Sequence, residues 1–129
     1  MTKKALVIDD NELVRDTLKA MLEFLDFEVA VAKNGEEALE KFKSSDKPFD
    51  VVFVDLVMPG ISGIEVMQKI REISSQVKAI ISSGYSNNSS ITEYEKIGFK
   101  GILNKPYTLD ELKEILKKIK YSLMPEYIF

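Results

Sequence analysis

The sequence predicts an α/β protein: a single doubly wound (βα)5 unit in which helices cover both faces of a parallel sheet. Short β-branched runs alternate with longer amphipathic stretches along the chain. The run over 50–55 is apolar without alternation, which indicates a strand buried on both faces, as in parallel sheets. A length of 129 residues suits one compact domain.

The first half of the chain contains three predicted strands and two predicted helices. A buried strand over 4–9 precedes a helix over 12–26, in which apolar residues recur at helical spacing. A shorter strand over 28–32 leads into a second amphipathic helix over 36–44. The strand over 50–55 is the strongest strand signal in the chain.

The second half repeats the alternation. A loop rich in glycine and proline is followed by a helix that ends near residue 74. A strand over 77–82, a weaker helix over 89–97 and a short strand over 101–103 come next. The last predicted element is an amphipathic helix over 108–122.

Polar residues follow four of the strands at one edge of the predicted sheet. Ligands of doubly wound sheets bind beyond the carboxyl ends of the strands, so these residues form the candidate site. They are Asp9 and Asp10 after the first strand, Asp55 at the end of the third, Ser83 and Gly84 after the fourth, and Lys105 and Pro106 after the fifth. Each residue alone is commonly a turn residue, a helix cap or a surface lysine. Their joint placement predicts a site.

The residue types at this edge indicate phosphoryl transfer with magnesium. The chain has no histidine and no cysteine, which excludes histidine-based triads, thiol nucleophiles and zinc-thiolate sites. Three neighbouring carboxylates repel one another and need a cation, and ligands that are all oxygen favour Mg²⁺. Lys105 supplies a positive charge for a phosphoryl oxygen, and Asp55 is the predicted nucleophile.

Charge and hydropathy give expectations about partners and location. The net charge of −3 argues against nucleic acid as a direct partner. No apolar run approaches the roughly 18 residues that span a bilayer, and the first residues lack the pattern of a signal peptide. We therefore expect no membrane contact and a cytoplasmic location.

Four motifs together resemble the response-regulator receiver domain of two-component signalling. They are Val7-Ile8-Asp9-Asp10, Asp55-Leu56-Val57-Met58-Pro59-Gly60, Ser83-Gly84 and Lys105-Pro106. The resemblance covers residues 3–122 and implies a flavodoxin-like three-layer sandwich with strand order 2-1-3-4-5. It fits a stand-alone receiver or the receiver of a hybrid histidine kinase.

The resemblance implies a role for each site residue. Asp55 resembles the phosphoacceptor, and Lys105, Ser83 and Gly84 resemble the residues that bind the phosphoryl group. Ser83 also resembles the switch hydroxyl, and the bond between Lys105 and Pro106 is expected to be cis. The implied magnesium ligands are Asp10, Asp55, the backbone carbonyl of Val57 and, through a water, Asp9.

The implied function is Mg²⁺-dependent transfer of a phosphoryl group to Asp55 from a phosphohistidine on a sensor histidine kinase or a histidine phosphotransfer domain. Phosphorylation then changes the surface of helix 89–97, strand 101–103 and helix 108–122, where a downstream protein binds. Such a receiver catalyses only its own phosphorylation and dephosphorylation and is not a turnover enzyme. The alternative is a degenerate receiver that acts without phosphorylation, although the acidic pair, the acceptor and the lysine are all present.

Three positions depart from the family's pattern. Ile102 stands where many receivers carry an aromatic residue coupled to the switch hydroxyl, so Tyr85 or Tyr107 is a candidate substitute. Val57 and Tyr85 take the positions that flank the path of the hydrolytic water in the family. Valine cannot orient water by hydrogen bonding and tyrosine is bulky, so we expect slow self-dephosphorylation.

The predicted receiver domain spans residues 1–122, and residues 123–129 form an apolar tail. The tail either folds back on its own domain or serves as a docking or dimerisation segment. The surface of helix 89–97, strand 101–103 and helix 108–122 is the other candidate dimer contact.

Overall fold

The structure is a computed structural model that describes residues 3–84 and 94–123, with only the backbone of Ser83 and of residues 120–123. Strands and helices alternate along the described chain. The strands are β1 (Lys3–Ile8), β2 (Phe27–Ala32), β3 (Val51–Asp55), β4 (Lys78–Ser83) and β5 (Phe99–Asn104). The helices are α1 (Glu12–Phe24), α2 (Gly35–Ser44), α3 (Gly63–Ile73) and α4 (Leu109–Leu123).

The five strands form one parallel sheet in the order β2-β1-β3-β4-β5, which confirms the predicted fold class and order. The register aligns Ile8 with Val54, and Asp55 with Ser82. The carboxyl ends of β1, β3 and β4 therefore lie level with one another. Because the strands are parallel, the loops that follow them share one edge of the sheet.

Two apolar layers hold the helices against the sheet. On one face, alternate residues of β1 and β3 such as Leu6 and Val54 pack with α2 and α3. On the other face, the intervening residues, such as Val7 and Phe53, pack with α1 and α4. Residues two apart in a strand face the same side of the sheet. The side chains at the strand ends can therefore be assigned to one of these two faces.

Helix α1 and strand β5 differ in length from their predictions. Helix α1 ends at Phe24 rather than at residue 26, because Asp26 adopts a positive φ of 69°, outside the right-handed helical region. Strand β5 spans six residues rather than three. It is an edge strand, and its exposed Lys100 and Asn104 interrupt the apolar pattern that marks buried strands.

Two predicted segments are only partly covered. The predicted helix over 89–97 falls largely outside the described residues, although Tyr94 and Glu95 are helical. Leu123 ends α4, and the rest of the predicted tail lies outside the described residues. Within residues 3–84 and 94–123, no helix has the length and apolarity that crossing a membrane requires.

Candidate functional site

Three carboxylates meet at the carboxyl edge of the sheet, as predicted. Asp9 directly follows β1 and Asp55 ends β3, and the pairing of Ile8 with Val54 sets these two aspartates side by side. Asp10 is the next residue of the loop. One carboxylate oxygen from each of the three aspartates lies within 4.8 Å of the others. Asp9 and Asp55 are buried, whereas Asp10 is exposed, so the cluster opens to solvent on one side.

Lys105 reaches this cluster from the turn after β5. Its Nζ lies 2.7 Å from Asp9 Oδ2 and 3.6 Å from Asp55 Oδ2. The ammonium is therefore shared between the two buried carboxylates. The peptide bond between Lys105 and Pro106 is cis, as expected.

Backbone hydrogen bonds fix the other oxygen of each buried carboxylate. The Asn11 N–H donates to Asp9 Oδ1 at 2.9 Å, and the Val57 N–H donates to Asp55 Oδ1 at 3.0 Å. Both are turns in which an aspartate accepts from the residue two positions on. As a result, each carboxylate presents its second oxygen to Lys105.

The charge balance of the site leaves Asp55 in need of a cation. Burial raises the pKa of the Asp55 carboxyl above its usual value, and the charges of Asp9 and Asp10 raise it further. The Val57 N–H and the Lys105 ammonium act in the opposite direction without cancelling the rise. A divalent cation would favour the ionised form of Asp55 and relieve the repulsion among the three aspartates.

The donor set fits a magnesium ion. All three side chains offer oxygen, the atom that Mg²⁺ binds in proteins, and they converge without histidine or sulfur ligands. Exposure of Asp10 leaves room for the waters that Mg²⁺ retains. Val57 follows Asp55 by two residues and is itself exposed.

The structure places the remaining predicted residues at the same edge or leaves them undescribed. Ser83 is the last residue of β4 and pairs with Asn104, so its backbone lies at this edge, and exposed Gly84 follows it. Ile102 is half-buried and packs against the core layer on the α2 and α3 face. Tyr85 lies outside the described residues.

Two contributors to the site, Arg15 and Ser82, were not singled out in the sequence, whereas Tyr107 was named there only as a candidate switch residue. The Arg15 guanidinium donates to the Asp9 backbone carbonyl at 2.8 Å and so ties α1 to the acidic loop. Ser82 is a buried polar residue level with Asp55, and half-buried Tyr107 lies next to Pro106. Side chains two residues apart in a strand face the same side of the sheet. Ile80 packs in the α1 and α4 layer, so its position could have indicated that Ser82 faces this layer as well.

Comparison with known proteins shows the family to which the chain belongs. Residues 5–117 match the family model of the response regulator receiver domain. The chain is 35% identical to the chemotaxis protein CheY of Thermotoga maritima, over 92% of this chain and 98% of that protein. It is also 35% identical to hybrid signal transduction histidine kinase E of Dictyostelium discoideum, over 90% of this chain and 7% of that protein.

A similar solved structure is the response regulator protein TrrA from Thermotoga maritima, in complex with Mg(2+)-BeF. The two chains share 39% identity and a TM-score of 0.79, with 92% of this chain and 99% of that one covered. Receivers are signalling proteins that accept a phosphoryl group from histidine kinases or phosphotransfer proteins, and they are not classical turnover enzymes. This chain belongs to the response regulator receiver domain family and has the role of a phosphoacceptor in two-component signalling and phosphorelay.

Proposed function

We propose that Asp55 is the phosphoacceptor of this receiver. One observation carries the assignment: its buried carboxylate lies 3.6 Å from a lysine ammonium and beside two further carboxylates, at the end of the central strand. A carboxylate nucleophile next to a positive charge and a metal-binding cluster is the arrangement that phosphoryl transfer to aspartate requires.

The magnesium ligands in this proposal are those that the sequence suggested. They are Asp10, Asp55, the Val57 backbone carbonyl and, through a water, Asp9. When bound, Mg²⁺ neutralises negative charge on the phosphoryl oxygens during transfer. Lys105, whose Nζ lies 3.6 Å from Asp55 Oδ2, contributes a second positive charge, and Ser83 and Gly84 at the end of β4 complete the proposed phosphoryl-binding set.

The chemical step forms one bond and breaks another. An oxygen of the Asp55 carboxylate bonds to phosphorus as the P–N bond of a phosphohistidine breaks, and the imidazole nitrogen keeps the electron pair. Residues 1–129 contain no histidine, so the donor imidazole lies outside them. A sensor histidine kinase or a histidine phosphotransfer domain supplies it.

A groove beside the site offers the donor protein an apolar contact. It has a volume of about 370 Å³ and runs between α1 and the turn that carries Lys105. Its lining residues are Leu13, Val14, Thr17, Lys105, Pro106 and Tyr107. Leu13 is 75% exposed at the edge of this groove, and we propose it as a contact for apolar residues of the donor.

The output surface in this proposal includes β5 and α4. A second groove of about 320 Å³ lies between them and is lined on one side by Ile102 and Leu103, and on the other by Asp110, Glu111 and Glu114. The three carboxylates outnumber the one lining ammonium, that of Lys118, so the groove suits a downstream protein with a basic, partly apolar segment. Ser83 and Ile102 are the switch residues that connect Asp55 to this surface, and Tyr85 is a third candidate from outside the described residues.

Phosphoramidate, a small donor that carries a P–N bond, tests the assignment without a partner protein. Incubation with Mg²⁺ should give a phosphorylated species that a phosphate-affinity gel retards. Chelation of Mg²⁺ should prevent its formation, and Asp55→Asn should abolish it. Phosphorylation that persists in Asp55→Asn would assign the acceptor to another residue. The degenerate alternative predicts no phosphorylated species in any variant.

A further inference from the structure

Two buried hydroxyls lie next to the site and have no role in the transfer described above. Ser82 is only 2% exposed, yet its Oγ has no hydrogen-bond partner among the described residues. The Tyr107 hydroxyl is also buried and has no hydrogen-bond partner in the described part of the chain. Buried hydroxyls in proteins are almost always hydrogen-bonded, so an unpaired pair close together calls for an explanation.

Both hydroxyls face the layer that contains Asp9 and Asp55. Asp55 pairs with Ser82 in the sheet register, and residues level with each other on adjacent parallel strands point to the same face. Tyr107 packs against the same apolar layer, which includes Phe53 and Ile80. The two hydroxyls therefore lie on the α1 and α4 face, beneath the buried carboxylates.

Electrostatic effects show that these groups are close to one another. Burial raises the pKa of Tyr107 to about 12, the Ser82 hydroxyl opposes this rise, and the negative charge of Asp9 adds to it. Tyr107 is consequently neutral at physiological pH and keeps its proton. It is a permanent hydrogen-bond donor in a layer where Ser82 can accept and donate.

Among the described residues, Asp9 Oδ2 is a further buried side-chain atom without a hydrogen bond of good geometry. It forms an ion pair with Lys105 Nζ at 2.7 Å. The turn that carries Lys105 continues through Pro106 to Tyr107. Anchoring the Tyr107 side chain therefore anchors the backbone from which Lys105 extends. A looser anchor would let the ammonium leave its place between the two buried carboxylates.

We propose that Ser82 and Tyr107 are positioning residues for phosphoryl transfer, whose hydroxyls pair beneath the Asp9–Lys105 ion pair and hold the Lys105 ammonium beside Asp55. This inference rests on the assignment of Asp55 as the acceptor. In this pair one hydroxyl donates and the other accepts. Neither hydroxyl contacts the phosphoryl group.

The test compares Tyr107→Phe, Ser82→Ala and the double variant with the wild-type chain. Phosphorylation by acetyl phosphate is followed in single turnovers while the concentrations of acetyl phosphate and Mg²⁺ are varied. We expect each single variant to lower the maximal rate about fivefold, as the loss of one hydrogen bond in the transition state would. The half-saturating Mg²⁺ concentration should stay unchanged, because the proposed ligands are intact.

The double variant separates a coupled pair from two independent residues. If the hydroxyls act as a unit, the double variant should be no slower than the slower single variant. Ser44→Ala is the control, because it removes an exposed hydroxyl from the last residue of α2, which packs on the opposite face of the sheet. It should phosphorylate at the wild-type rate.

Two results would overturn the proposal. Wild-type maximal rates in Tyr107→Phe, with or without a lower melting temperature, would leave Tyr107 a purely structural residue. Rate losses that multiply in the double variant would show that the hydroxyls do not act together. The assignment of Asp55 is judged separately, since it fails only if the wild-type chain is not phosphorylated or if Asp55→Asn still is.

Discussion

At the scale of single residues, Asp55 combines a functional need with an energetic cost. Its carboxylate is buried with two others, and its pKa is raised chiefly by that burial. Lys105 offsets part of the repulsion but is shared with Asp9, the closer of its two partners. The site therefore holds more negative charge than its own lysine compensates, and a bound divalent cation would balance the excess.

The raised pKa of Asp55 predicts a pH dependence of stability in the absence of Mg²⁺. The folded state binds the Asp55 proton more tightly than the unfolded state. The free energy of unfolding contributed by this group therefore falls as pH rises from the unfolded pKa of 3.8 through the higher folded pKa, and the loss is complete above it. Asp55→Asn should remove this slope.

At neutral pH without Mg²⁺, Asp55→Asn should raise the free energy of unfolding by about 1 kcal/mol or more, because a buried like charge is removed. Urea unfolding at several pH values measures both effects. Addition of Mg²⁺ should stabilise the wild-type chain and have little effect on the variant. A variant less stable than the wild-type chain at neutral pH would show that Asp55 is not under electrostatic strain.

Val57 gives a prediction about the lifetime of the acyl phosphate. Its side chain is 67% exposed two residues after Asp55, and it cannot hydrogen-bond a hydrolytic water. Val57→Asn should accelerate loss of the phosphoryl group about tenfold or more by orienting that water. Val57→Ala, which changes bulk without adding a hydrogen-bonding group, is the control. Equal decay in all three chains would contradict the expectation of slow self-dephosphorylation.

At the scale of elements, the register of the sheet builds the site. The pairing of Ile8 with Val54 places Asp9 beside Asp55, and the turns after β1 and β3 fix one oxygen of each carboxylate. Helix α3 then begins close to the end of β3. The backbone N–H of Gly63 faces the Leu56 carbonyl at 3.5 Å, so the helix start lies directly against the loop that follows Asp55.

This close approach predicts that Gly63 tolerates no side chain. A Cβ there would lie 2.8 Å from Leu56 Cα and 2.9 Å from Val54 Cγ1, closer than packed atoms allow. Gly63→Ala should lower the free energy of unfolding by about 2 kcal/mol, since the backbone after Asp55 must shift. Gly84→Ala, where no described residue lies within 4 Å, should be nearly neutral in the same denaturant titration. Equal stability of both variants would refute the steric argument.

Helix α1 offers a test of donor docking. Leu13 and Phe24 are both exposed, but Leu13 lines the groove beside Lys105 whereas Phe24 ends the helix at the opposite edge of the sheet. The test uses a histidine phosphotransfer protein that phosphorylates the wild-type chain. Leu13→Ser should slow phosphoryl transfer from this protein about tenfold. Phosphorylation by acetyl phosphate should not change. Phe24→Ser should match the wild-type chain with both donors, and equal slowing by the two variants would remove the groove from the proposal.

At the scale of the whole molecule, most of the fold could be predicted because a parallel sheet leaves a strong sequence pattern. Continuous apolar runs marked β1 and β3, and helical spacing marked α1 and α4. Strand β5 was underestimated because an edge strand has one exposed side and carries polar residues. The site residues could be located because chain topology alone brings strand ends to one edge.

The finer contacts could not be predicted, because they depend on side-chain directions across the sheet. Sequence position alone does not indicate that Lys105 lies closer to Asp9 than to Asp55. Nor does it indicate that Arg15 ties α1 to the acidic loop. The unpaired hydroxyl of Ser82 becomes meaningful only once the register places it level with Asp55.

The absence of histidine from residues 1–129 also bears on the direction of phosphoryl transfer. It first excluded whole classes of catalytic site. Together with the receiver fold and the acidic cluster, it supports the proposal that these residues receive a phosphoryl group from a histidine outside them.

The most direct test of the central claim is the intact mass of the chain after incubation with acetyl phosphate and Mg²⁺. Assignment of Asp55 as the acceptor predicts a gain of a single phosphoryl group in the wild-type chain and in Asp46→Ala, which removes an exposed aspartate in the loop after α2. It predicts no gain in Asp55→Ala, or in the wild-type chain when Mg²⁺ is chelated. A phosphoryl group on Asp55→Ala, or none on the wild-type chain with this donor and with phosphohistidine donors, would contradict it.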